Sequence, residues 1–252
     1  MKVVIFAGGL GTRLTEETQL KPKPLVEACG KPLLWHIMQN YSSYGFKEFV
    51  ILVGYKGDMI REYFANFWMY KSDITFNLLS SDSHVHETRG MPWKVSIVET
   101  GINTSTGSRL AKIKNIINED FLLTYGDGIA DVDISKLIDF HYTNSSLVTL
   151  TAVQPPAKFG ALKLNGHLVT SFQEKMDNLE SWVNGGFFVV NKDIFDIIPE
   201  FDNSFESDVL PILAAKNQLS AFKHLGFWQP VDTVRDLTKL EDAINLGLIK
   251  WT

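Results

Sequence analysis

Cysteine is almost absent: Cys29 is the only one in 252 residues, which excludes an internal disulfide framework and suits a reducing compartment. Set in "LVEACGKP", it is poorly placed as a nucleophile, and a packed thiol is the expectation. No stretch approaches the ~20 apolar residues of a membrane span. The N-terminus lacks the long apolar region and small-residue cleavage site of a secretory signal, so a cytoplasmic protein without membrane contact is expected. Positive charge is also in short supply. A net charge of −5 argues against a general nucleic-acid binder, though not against a local basic pocket. Repeats, low-complexity tracts and Ser/Gly/Pro-rich linkers are missing too, so one domain over 1–252 is expected.

What is present is a strand–helix alternation. "KVVIFAGG" (2–9), "FVILVGY" (49–55), "FLLTYGDG" (121–128) and "SLVTLTAV" (146–153) are continuous apolar runs, the pattern of strands buried on both faces. Between them, "LLWHIMQNYSSYG" and "GDMIREYFANFW" carry apolar residues at helical spacing, with Gly45 as a stop signal. This order predicts an α/β fold with a doubly wound, mostly parallel, Rossmann-like sheet. After about residue 154 the strands shorten and a more mixed layer is expected, closed by a helix with Leu237, Leu240, Ala243 and Ile244 in one stripe. Residues 69–92 are polar and read as an irregular excursion suited to oligomer or substrate contact.

The first strand breaks into Gly8, Gly9 and Gly11. In open α/β sheets ligands bind beyond the carboxyl ends of the strands, and a backbone without side chains there can turn several N–H groups on an anion. Two anion motifs fail. No Lys-Ser/Thr pair follows the glycines as a P-loop requires, and the dinucleotide fingerprint would need glycine where Leu14 stands, with an acidic residue ending the second strand. On the glycines alone a tight structural turn remains open. Arg13 and "KPKPLVE" (21–27) add a forked donor and a lysine, Lys23, stiffened between prolines. A donor-rich loop with two cations describes a triphosphate cradle.

"AGGLGTRL", "KPKPLVE" and "GKPLLWHIM" together resemble the signature of the sugar-1-phosphate nucleotidyltransferases. "EYFANF", "TGSRL", "TYGDGIADVDI", "FQEK", "NGGFFVV" and "GFWQPVDTVRD" extend the resemblance across essentially the whole chain. The resemblance implies that family's fold, with 1–153 as the nucleotide-binding part and 154–252 as mainly the sugar-phosphate-binding part and C-terminal helix. It implies transfer from CTP to α-D-glucose 1-phosphate, giving CDP-glucose and pyrophosphate with Mg²⁺ as cofactor, by a homo-oligomer leaning to a hexamer. It also implies nucleotide contacts from Phe6, Ala7, Gly8, Gly9, Leu10, Gly11, Thr12, Arg13, Lys23, Thr104, Gly107, Arg109 and Gly126, with Arg13 and Lys23 catalytic. Unaided, the segment around Thr104 reads as a helix start capped by Ser105 or Thr106.

Asp127, between two glycines after an apolar strand, reads by itself as a turn former. A triphosphate brings Mg²⁺, which is held by one or two carboxylates plus phosphate oxygens. Asp232 reads equally as the cap of a helix starting near Thr233; the resemblance assigns both aspartates to the metal. Asp131 and Asp133 read as surface or cap residues. For the sugar phosphate the resemblance points to Glu174, Lys175, Asn184 and Gly185, where the bland alternative is a surface ion pair and a hairpin turn. A phosphomonoester is mostly a dianion at neutral pH and needs no general base, so positioning and charge are expected to carry the reaction. The rivals are another nucleotide or phosphorylated acceptor, a nicotinamide-dependent dehydrogenase, and a non-catalytic nucleotide sensor.

Overall fold

In a computed structural model, the structure describes residues 1–11, 20–88, 90–155, 161–165, 168–173 and 182–249. The strands are β1 (Val3–Ala7), β2 (Glu27–Ala28), β3 (Lys31–Pro32), β4 (Glu48–Val53), β5 (Ser72–Asn77), β6 (Asp82–Thr88), β7 (Lys94–Glu99), β8 (Phe121–Tyr125), β9 (Gly128–Ala130), β10 (Val148–Val153), β11 (Ala161–Asn165), β12 (Leu168–Gln173), β13 (Val183–Val190), β14 (Leu219–His224) and β15 (Trp228–Pro230). The helices are α1 (Leu33–Ser43), α2 (Gly57–Ala65), α3 (Thr106–Ala111), α4 (Ile134–Asn144), α5 (Leu210–Ala215) and α6 (Val234–Asn245).

Seven strands form one sheet in the order β14-β10-β13-β8-β1-β4-β7. β8, β1, β4 and β7 run parallel, as do β10 and β14, while β13 is antiparallel to both its neighbours. The apolar runs explain this placement, because period-2 alternation splits each run between two cores. Val3, Ile5, Phe49, Ile51, Leu122, Phe187 and Val189 face a core completed by Leu34, Ile37, Tyr41, Ile134, Leu137 and Leu240. Val4, Phe6, Val50, Leu52, Leu123, Phe188 and Val190 face the other, with Leu110, Ile113, Phe195, Phe205 and Leu213. Helices therefore cover both faces, as expected of a doubly wound sheet. Gly45, at φ 88°, stops α1, and its N–H donates to the Ser42 carbonyl at 3.0 Å.

Three expectations are corrected. β13 and β14 do not build a layer of their own. They join the central sheet: Phe187–Val190 of β13 is apolar on both faces and is buried where helices cover both sides of the sheet, and β14 adds to its edge beside β10. Residues 69–92 hold an antiparallel hairpin of β5 with β6, with a register shift between Asp73 and Ile74, its turn tied by the Leu79 and Ser80 N–H groups donating to Asn77 Oδ1. Cys29 is exposed rather than packed. With Gly30 it forms a two-residue turn between β2 and β3 in which both have positive φ, 49° and 70°, a conformation that turns the chain back tightly and leaves its tip in solvent.

Candidate active site

Register sets the site. Phe6 of β1 pairs with Tyr125 of β8, and Gly126 N donates to the Phe6 carbonyl at 2.9 Å. The glycine loop after β1 and the Gly126-Asp127 turn after β8 thus leave the sheet together at its carboxyl edge. A Cβ on Gly126 would sit 2.9 Å from Phe6 O and 3.0 Å from Pro24 Cγ, so the close approach of the Lys23 turn requires a glycine there.

Asp127 and Asp232 are joined by a short ladder. β9 starts directly after Asp127 and β15 ends just before Asp232; Gly128 opposes Pro230, and Val231 N donates to the Asp127 carbonyl at 2.9 Å. Both carboxylates therefore emerge at one end of the ladder. Asp232 does not cap the following helix. Thr233 does, in a capping box with Asp236, which leaves the Asp232 carboxylate to the cavity. Asp133 caps α4, as expected, and Asp131 lies exposed beside His224 at 3.0 Å.

Lys23 opens a one-turn 3-10 helix behind Pro22, fixed by Leu25 N donating to Pro22 O and Val26 N to Lys23 O. Its Nζ lies 2.7 Å from Asp127 Oδ2 and 2.7 Å from Asp232 Oδ1. Burial works against the ammonium, but the charges and hydrogen bonds of Asp127 and Asp232 outweigh it, so the Lys23 pKa stands above that of an ordinary lysine. The two aspartates thus already converge on one cation.

These groups line a cavity of about 250 Å³ with Phe6, Ala7, Gly9, Gly11, Pro24, Thr106, Tyr125 and Gly126. Leu10 projects outward, 51% exposed. Thr12, Arg13, Glu174 and Lys175 lie outside the described residues. Thr104, Gly107 and Arg109 are not on the cavity wall. Thr104 donates to the Thr100 carbonyl at 2.5 Å, and Gly107 packs where a Cβ would collide with Asn203. The Arg109 guanidinium, in a side chain only 4% exposed, donates to the carbonyls of Gly8, Val53 and Ile102 and to the Thr100 hydroxyl. Burial works to lower its pKa, opposed by Glu99 and Asp202. Arg109 ties the ends of β1, β4 and β7 together behind the glycine loop. Gly8 serves that tie, since a Cβ there would strike the guanidinium.

Neither Asn184 nor Gly185 lines this cavity, and Asn184 is linked to it through Tyr125. Asn184 Nδ2 donates to the Tyr125 hydroxyl at 3.3 Å, and Trp228 Nε1 donates to the Gly185 carbonyl at 2.9 Å.

Sequence reasoning missed Tyr125, Thr106 and Glu206. The Glu206 carboxylate accepts from the Tyr125 hydroxyl (2.6 Å), the Thr106 hydroxyl (2.5 Å) and the Ser204 hydroxyl (2.9 Å). It projects from a π-helical turn, Phe205–Val209, a local irregularity found often at functional sites. Burial first, then the Glu206 charge, pushes the Tyr125 phenol far above its ordinary pKa, so it remains a donor at any working pH. Its ring stacks on Phe6, with centroids 5.8 Å apart. Tyr125 was legible inside "TYGDG"; Glu206 carries no local signal. Tyr125→Phe is expected to destabilise the fold by about 1–2 kcal/mol in urea unfolding, because one carboxylate oxygen loses its donor. No change would show that water replaces the phenol without loss.

The family model described as nucleotidyl transferase matches residues 2–245. The chain is 49% identical to the glucose-1-phosphate cytidylyltransferases of Salmonella typhimurium and Salmonella typhi, each match covering 100% of this chain and 98% of the relative. Among solved structures, HddC from Yersinia pseudotuberculosis superposes with a TM-score of 0.70 at 24% identity, over 96% of this chain and 99% of that one, a likeness of fold. With the family model matched over residues 2–245 and full-length relatives at 49% identity, the chain belongs to the nucleotidyl transferase family.

Proposed function

We propose that the protein joins CTP to α-D-glucose 1-phosphate, releasing pyrophosphate and forming CDP-glucose. The observation that carries this reading is the convergence of Asp127 and Asp232 on Lys23, at 2.7 Å each, beside a loop of bare backbone. The choice of CTP and of glucose 1-phosphate is supported by the full-length similarity to enzymes of that name.

The aspartate pair also fits a divalent ion. Two carboxylates already share one cation, and among the described residues no third His, Cys, Asp or Glu joins them. That donor set suits an ion that completes its shell from phosphate oxygens and water. Mg²⁺ held by Asp127 and Asp232 would withdraw charge from the reacting phosphates and draw them together. The remaining chemistry belongs to the chain. The sugar phosphate oxygen, already ionised, forms a bond to the α-phosphorus while the bond to the β-phosphate oxygen breaks and its electron pair leaves with pyrophosphate. The Lys23 ammonium offsets negative charge on the α-phosphate as it builds. The N–H groups of the Gly8–Gly11 loop, together with Arg13, hold the departing β- and γ-phosphates, with Arg109 setting the loop from behind. Glu174, Lys175, Asn184 and Gly185 take the sugar phosphate, and the working form is an oligomer.

Pyrophosphate release, measured with four nucleoside triphosphates against a panel of sugar 1-phosphates, tests the assignment. CTP with glucose 1-phosphate is expected to dominate; another pair would replace the substrates and leave the chemistry, and no release with any pair would make the protein a nucleotide sensor. Asp127→Asn is expected to lower metal-dependent turnover by roughly 10²–10³-fold while CTP binding without metal is kept. Equal loss of both would give Asp127 a purely structural role.

A further inference from the structure

Among the described residues, two that line the active-site cavity carry hydroxyls, Thr106 and Tyr125, and their bonds fix which way each is polarised. Both direct their proton at one carboxylate. The Tyr125 hydroxyl donates to Glu206 Oε1 at 2.6 Å and the Thr106 hydroxyl to Glu206 Oε2 at 2.5 Å. A carboxylate only accepts, so neither direction can reverse. Each hydroxyl oxygen also receives one donor. Phe205 N donates to Thr106 Oγ1 at 2.9 Å, and Asn184 Nδ2 to the Tyr125 hydroxyl at 3.3 Å. The Asn184 amide is held in turn, because its Oδ1 accepts from Gly186 N at 2.9 Å, which leaves Nδ2 toward Tyr125. What each hydroxyl oxygen retains is a lone pair. These two residues therefore offer the cavity acceptors and no hydroxyl donor.

Glu206 is fixed in this role. Ser204 Oγ donates to Glu206 Oε2 at 2.9 Å and accepts from Ser207 N at 3.1 Å, where Ser204 caps the π-helical turn. Beside the acceptors lies a flat apolar surface: the Phe6 ring, also on the cavity wall, stacks against Tyr125 with an interplanar angle of 28°. A planar ring fits such a surface better than a polyol does. Among planar bases, acceptors of this kind discriminate, because cytosine carries an amino donor where uracil carries a carbonyl acceptor. Lone pairs facing a carbonyl repel it, and an acceptor desolvated without a donor costs affinity.

We propose that Glu206 is a positioning residue for base recognition: it orients the hydroxyls of Thr106 and Tyr125 to accept from the exocyclic amino group of cytosine and to turn away the carbonyl of uracil. This deepens, and rests on, the reading of the cavity as a CTP site.

Pyrophosphate release with CTP and with UTP, each against glucose 1-phosphate, tests it through the ratio of the two kcat/KM values. Glu206→Gln keeps the shape but puts an NH₂ group beside the hydroxyls. That group donates to a hydroxyl oxygen and turns the hydroxyl's own proton toward the cavity. The CTP-to-UTP ratio is expected to fall by about tenfold or more. Thr106→Val should lower the ratio in the same direction, and Thr106→Ser, which keeps the hydroxyl, should hold it. This pair decides the matter if Glu206→Gln does not fold. An unchanged ratio in Glu206→Gln and Thr106→Val overturns the proposal. Equal losses with CTP and UTP would make the network structural, and a raised KM for glucose 1-phosphate alone would give these hydroxyls to the sugar. A wild-type enzyme without release, or without preference for CTP over UTP, fails instead on the CTP reading, so the two failures are separable.

Discussion

Lys23→Ala lowers kcat/KM for pyrophosphate release from CTP and glucose 1-phosphate by roughly 10²–10³-fold, the range found when one donor to a developing oxyanion is removed. The loss should fall on kcat more than on KM, because an ammonium that gains most as charge builds on the α-phosphate acts mainly in the transition state. A second effect comes from the apo geometry. Removing Nζ takes away the ammonium that Asp127 and Asp232 share, so the variant should bind a divalent ion without nucleotide more readily than wild type does. Lys23→Arg should not rescue turnover: a planar fork cannot occupy the point between two carboxylates that a compact ammonium fills. The sign of the pH dependence follows from the raised pKa. The stabilising contribution of Lys23 is complete below the unfolded lysine value near ~10.4 and is lost as pH rises through the higher folded value. Stopped-flow turnover and equilibrium metal titration check the first two effects. A variant with wild-type kcat would remove Lys23 from the chemistry.

Arg109→Ala destabilises the fold by ~3 kcal/mol or more, because it removes four hydrogen bonds of one buried guanidinium at once and empties the space it fills. The acceptors belong to three strand ends and one loop: Gly8 beyond β1, Val53 of β4, Thr100 beyond β7 and Ile102. Arg109→Lys should recover little, since one ammonium cannot reach so many directions. Guanidinium chloride unfolding measures the loss, and a change under about 1 kcal/mol would mean that water takes over the ties. Gly8 supplies a control. Gly8→Ala alone places a Cβ against the guanidinium and should destabilise, whereas in the Arg109→Ala background the same change should cost clearly less. That non-additivity is the signature of direct contact. Turnover should fall along with stability, because the loop loses the tether on the Gly8 carbonyl.

The sequence was most informative where the chemistry was local. The buried strands were legible as apolar runs because a strand covered on both faces has no polar side to show. Asp127 stood out for the same reason, following such a run between two glycines. Lys23 was marked by its prolines. Asp232 was open to two readings, and the capping box of Thr233 with Asp236 removed one of them.

Pairings between distant segments were hidden. Alternation of strand and helix within the chain was enough to imply a doubly wound sheet, since each run must bury both faces and each helix one. Chain order could not show that β13 enters that sheet antiparallel between β8 and β10, because a run buried on both faces looks the same in either direction. Nor could it show that Arg109 turns away from the cavity to serve carbonyls of three other segments, or that Glu206 reaches Tyr125 and Thr106 across the fold. A hydrogen bond is satisfied by whatever donor or acceptor the packed chain brings within about 3 Å, and a residue's own neighbours carry no record of that partner.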